Sequence, residues 1–81
     1  MNKKNNSFEI QYNNGVYVFK LYDLLSKANI SHNKFMRDTN TEYGTMKRYA
    51  IGNIQKVDLV VLDRWCEYLN CTLEDIIEYK K

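Results

Sequence analysis

The segment from Ser31 to Asn53, SHNKFMRDTNTEYGTMKRYAIGN, constrains the fold of this chain more than any other. It reads as two short helices meeting at a tight turn. Ser31 supplies a hydroxyl N-cap, and Phe35 and Met36 then fall on the inward face of the first helix. Asn40 stands where the chain must reverse, and asparagine accepts the left-handed conformation that a helix C-terminus often takes. Thr41 is placed to cap a second helix over Glu42–Ala50, whose apolar positions Met46 and Tyr49 lie three apart; Gly52 and Asn53 stop it. The outward side of that helix carries Tyr43, Gly44, Lys47 and Arg48, a polar and basic set. Two helices joined by a turn of three to four residues lay the second helix in the DNA major groove. A DNA-reading module is the leading expectation.

Charge along the chain points the same way. The net charge is only +2, but its distribution is uneven. Between Lys34 and Lys56 five basic residues (Lys34, Arg37, Lys47, Arg48, Lys56) oppose Asp38 and Glu42, a local excess of +3. Between Val57 and Tyr79 Arg64 alone opposes Asp58, Asp63, Glu67, Glu74, Asp75 and Glu78, a local −5. One end should attract phosphate and the other repel it; the bland reading is two ordinary solvated helical faces. The length of 81 residues allows one domain with one small core. No apolar run approaches the ~18 residues of a membrane span, and no signal peptide is visible, so a cytoplasmic protein is expected. Cys66 and Cys71 lack the paired spacing of a zinc site and His32 is isolated from them, which favours buried reduced thiols and no metal. With one histidine, no glycine-rich phosphate loop and no Cys–His neighbours, neither an enzyme nor a cofactor is expected.

Residues 1–7 are polar and read as a flexible tail, followed by a β-hairpin over 8–20 and a helix-turn-helix domain over 21–81. The Asn14-Gly15 pair suits a two-residue type I′ turn. Pairing outward from it sets Tyr12 opposite Tyr17, Gln11 opposite Val18, Ile10 opposite Phe19 and Glu9 opposite Lys20. Phe8, Ile10, Tyr12, Tyr17 and Phe19 then share one face, which must dock on the helical body or on a second copy. Leu21, Leu24, Leu25 and Ala28 mark a first helix. After the Ser31–Ile51 pair and a loop, Asp58 caps a fourth helix with the stripe Leu59, Leu62, Trp65, Cys66 and Leu69. Val61 and Tyr68, on an adjacent face, could receive the hairpin or form a subunit interface. Thr72, with Asp75 in a capping-box-like arrangement, opens a last helix that turns Ile76 and Ile77 inward. The expected fold is all-α, five helices preceded by the hairpin.

The segment, with VDLVVLDRWCEYLNCTLEDIIEY after it, resembles the Cro/C1-type helix-turn-helix family, and in particular a small-regulator branch carrying Leu62, Asp63, Leu69, Asn70, Cys71 and Asp75 in this order. The likeness runs from about Phe19 to Tyr79. It implies a lambda-repressor-like DNA-binding domain acting as a repressor-like transcriptional regulator, a homodimer on an inverted repeat in double-stranded DNA. The resemblance makes Tyr43, Gly44, Lys47 and Arg48 base-facing. It matches Ser31 and Thr45 to hydroxyl positions on the DNA backbone and sets His32 where the family often has Gln; Lys34, Asn53, Gln55 and Lys56 add expected phosphate contacts. Three departures stand out: Met36 in place of a small residue, Glu42 in place of Ser or Thr, and Gly44 inside a helix at a cost of up to ~1 kcal/mol. Glu42 and the acidic C-terminal half favour a second reading, a protein-binding module on the same fold such as an antitoxin or a mobile-element inhibitor.

Overall fold

The helices stop where local chemistry removes the reason to continue. The computed structural model describes residues 6–81, so residues 1–5 of the expected tail lie outside the described residues. Strands β1 (Phe8–Gln11) and β2 (Val16–Phe19) lead into helices α1 (Leu21–Lys27), α2 (His32–Asp38), α3 (Tyr43–Ile51), α4 (Leu59–Leu69) and the one-turn α5 (Leu73–Ile76), which runs directly into strand β3 (Ile77–Lys80). Ser31 Oγ accepts from the Lys34 N–H at 3.1 Å and starts α2; Asp58 Oδ1 accepts from the Val60 N–H at 2.9 Å and starts α4. Asn40, Asn70 and Gly52 end α2, α4 and α3 with φ of 54°, 53° and 84°, the left-handed conformation expected there. At the start of α5 the Asp75 carboxylate accepts from both the Thr72 N–H and its hydroxyl.

Leu21, Leu25, Phe35, Met46, Tyr49, Ala50, Leu62, Trp65 and Ile76 form the core. Trp65 sits at its centre, with ring centroids 5.4 Å from Phe35 and 5.0 Å from Tyr49. Its indole N–H donates to Thr41 Oγ at 3.0 Å; Thr41 Oγ lies 2.7 Å from Thr39 Oγ, which donates to the Phe35 carbonyl at 2.7 Å. One donor chain therefore runs from α4 through the turn to α2. Thr41 is thus not the cap expected of it: the N-cap position of α3 is Glu42, whose side chain makes no capping bond, and Thr41 is buried. The indole, a buried donor without water, takes the hydroxyl first. Tyr68 also finds an internal partner, its ring 6.0 Å from Phe35 and its hydroxyl donating to Asp38 at 2.6 Å, and Val61 packs on the core. Leu59, by contrast, is 66% exposed, and Ala28 is exposed as the C-cap of α1.

The fold is mixed rather than all-α, because β3 closes a three-stranded antiparallel sheet in the order β1-β2-β3. Ile77-Glu78-Tyr79-Lys80 alternates apolar and polar, a two-residue period that suits a strand. The open flank of β2 supplies the hydrogen bonds that a marginal one-turn helix cannot. The last helix therefore ends at Ile76, and Ile77 pairs with Phe19. Lys20 consequently pairs not with Glu9 but with Glu78, Nζ to Oε1 at 2.9 Å, while Glu9 stands opposite Val18.

The hairpin register also differs from expectation: Phe8 faces Phe19 and Ile10 faces Tyr17. The turn centres on Asn13-Asn14, with the Tyr12 N–H donating to the Gly15 carbonyl at 2.8 Å, and neither these asparagines nor Gly15 takes positive φ. A type I′ turn is therefore absent. Gly15 makes room instead, since a Cβ there would lie 2.6 Å from Tyr79 Oη and 2.7 Å from the Lys80 carbonyl. The shift amounts to two residues, so every side chain keeps its face. That face docks on the helical body at Gly52, where a Cβ would lie 2.6 Å from Ile10 Cγ1 and 2.8 Å from Phe19 Cδ1.

Candidate nucleic-acid interface

Helix α3 divides cleanly by exposure. Met46, Tyr49 and Ala50 are buried, whereas Tyr43, Gly44, Lys47 and Arg48 are exposed, Tyr43 by 57%. All four sequence-predicted base-facing residues thus lie together on one outward face. Lys47 Nζ is 5.9 Å from the Tyr43 ring centroid, a cation–π approach that orders both side chains along the helix. A Cβ on Gly44 would meet only Arg48 Nη1, at 3.8 Å, so the guanidinium lies against an open surface. The helix is fixed from behind: Tyr49 Oη accepts from the Asp58 N–H at 2.8 Å, tying α3 to the start of α4. Arg64 Nε donates to the Thr39 carbonyl at 3.1 Å and ties the turn to α4 as well.

The expected backbone-contact residues form two groups. Ser31, His32 and Lys34 are exposed at the start of α2; Asn53, Gln55 and Lys56 are exposed in the loop after α3, and Thr45 is half-buried on α3 between them. Gln55 also borders a cleft of about 450 Å³ walled by Tyr12, Tyr17, Ile54, Val57 and Tyr79. Lys34 already has a partner, its Nζ donating to Asp38 at 2.8 Å. Hydrogen bonds from Lys34 first, and from Tyr68, hold the Asp38 carboxyl below the usual carboxylate range. Lys56, in contrast, makes no ion pair among the described residues.

His32 is held by a residue that periodicity did not single out. The Tyr22 ring of α1 stacks on its imidazole, centroids 4.4 Å apart and planes 17° from parallel. Burial, with the neighbouring Tyr43 phenol as the smaller cause, pushes the Tyr22 phenol upward. Tyr22 therefore ties α1 to the start of α2. Cys66 and Cys71 are half-buried free thiols, and burial first of all pushes the Cys71 thiol up to about 11, which makes it unreactive. Among the described residues no three His, Cys, Asp or Glu side chains gather as metal ligands, and no helix is long and apolar enough to cross a membrane.

Two helices clamped against a buried tryptophan, the second presenting a basic face, define a helix-turn-helix domain. The chain belongs to the family of Cro/C1-type helix-turn-helix DNA-binding domains, whose sequence model matches residues 20–81. It is a DNA-binding domain of the kind found in regulators. No curated protein and no solved structure gave a match.

Proposed function

We propose that this protein is a sequence-specific, repressor-like transcriptional regulator that acts in the cytoplasm as a homodimer on an inverted repeat. The observation that carries the reading is the exposed set Tyr43, Gly44, Lys47 and Arg48 on a helix whose opposite face is buried. With α3 in the major groove, Arg48 and Lys47 donate to the acceptor edge of guanine and Tyr43 meets a sugar or a thymine methyl group. Gly44 lets the helix backbone approach the bases. Ser31, His32, Thr45, Asn53, Gln55 and Lys56 hold the phosphate backbone, and Lys34 joins them by exchanging Asp38 for phosphate.

Fluorescence anisotropy on duplexes selected from a random pool, titrated at several salt concentrations, tests this. Arg48→Ala should remove about 1–3 kcal/mol of discrimination at one base pair. Lys56→Ala should weaken all duplexes alike and lower the salt slope by about one phosphate contact. The exposed acids Asp63 and Glu67 of α4, together with Glu42 at the head of α3, support the second reading, a module that binds a protein partner. Wild-type protein that binds no selected or genomic DNA at low salt would decide for it.

A further inference from the structure

His32 is exposed, and among the described residues neither imidazole nitrogen has a hydrogen-bond partner. Among the described residues, the directional contact it makes is the near-parallel stack on Tyr22. An exposed histidine on a helix normally samples several rotamers, and ordering it on binding costs conformational entropy. A half-buried tyrosine ring against one face removes that freedom beforehand, yet takes up neither imidazole nitrogen, since a stack uses the ring face and not its edge. Tyr22 is itself anchored, because its neighbours Leu21 and Leu25 are fully buried. Its ring lies against the first turn of α2, and on α3 Tyr43 meets Lys47. Two ring contacts thus stand on the three helices, Tyr22 with His32 and Tyr43 with Lys47.

We propose that Tyr22 is a positioning residue of the DNA interface, stacking on His32 so that the imidazole edge is already set to donate to a backbone phosphate before DNA arrives. The inference rests on the DNA-binding reading above and deepens it, since it brings α1 into an interface otherwise built from α2, α3 and the following loop. A tyrosine at this place has no need to touch DNA; its effect passes through His32.

The test compares Tyr22→Leu, which keeps apolar bulk but has no ring to stack, with Tyr22→Phe, which keeps the ring. Each is made in the 81-residue chain, alone and combined with His32→Ala. NMR of the free proteins reads the stack directly: the His32 ring protons should be shifted upfield by the Tyr22 ring in wild type and Tyr22→Phe, and relax in Tyr22→Leu. Anisotropy on a duplex selected by wild type should show Tyr22→Leu binding about fivefold more weakly, the equivalent of one net hydrogen bond. Tyr22→Phe should match wild type, and Tyr22→Leu should have no further effect once His32 is Ala. If the stack is lost while affinity is unchanged, or if the two losses simply multiply, the positioning role is wrong and the DNA reading stands. If wild type itself binds no duplex, the DNA reading goes first and takes this role with it.

Discussion

Thr41 occupies the most demanding position at the scale of single residues. Its hydroxyl accepts from Trp65 and passes a hydrogen bond to Thr39, so replacing it with isosteric Val strands a buried indole N–H. An unsatisfied buried donor costs about 1–3 kcal/mol. We expect Thr41→Val to lower the melting temperature by several degrees, about 4–8 °C per kcal/mol in a domain of this size, while Ser should largely rescue it. Gly44 gives the opposite case. It has ordinary helical φ and open space for a Cβ, so Gly44→Ala should stabilise the protein by about 0.5–1 kcal/mol in urea unfolding. If the helix backbone approaches the bases there, the same variant binds DNA less well. Single residues were the most legible part of the sequence. Ser31, Asn40, Gly52, Asp58 and the Thr72–Asp75 pair act within one turn of chain, so their chemistry is local. Thr41 was misread because its partner lies 24 residues away. Tyr22 went unnoticed because its stack arises only when α1 crosses α2.

At the scale of elements, the helix-turn-helix pair and α4 follow from apolar spacing. The outward face of α3 follows with them, because a helix with two buried positions three apart has only one face left for Tyr43, Gly44, Lys47 and Arg48. The sheet does not follow. Ile77–Lys80 carries an alternation too short to outweigh a capping box just before it, and its partner β2 lies some 60 residues earlier. The register was likewise out of reach, since it answers to the space Gly15 leaves for Tyr79 and Lys80 rather than to the Asn-Gly pair. Gly15→Ala should therefore act at a distance. We expect faster amide exchange along β3 and a lower melting temperature, with α2 and α3 unchanged; uniform protection across the sheet would argue against the close approach.

For the whole molecule, three carboxyls report on how acid unfolds it. Asp38 is held low chiefly by Lys34, Asp75 by the Thr72 N–H and Glu78 by Lys20. Each depressed value contributes stability that is complete above the ordinary values of 3.8 and 4.5 and is lost as pH falls through the lower folded ones. The melting temperature should thus hold from neutrality to near pH 5 and then decline. Replacing Asp75 with Asn should make that decline shallower while lowering the starting value, as seen by calorimetry across the pH range.

The direct passage from α5 into β3 has a consequence for the order in which the molecule is made. β2 leaves the ribosome well before the strand that completes its second edge, which is made some 60 residues later. Until then the hairpin has one bare flank, and an isolated two-stranded ribbon is barely stable in water. The helices can gather around Trp65 as soon as α4 emerges, because their contacts are nearer in sequence. Closure of the sheet then works as a late latch, drawn shut only when Tyr79 reaches the gap above Gly15.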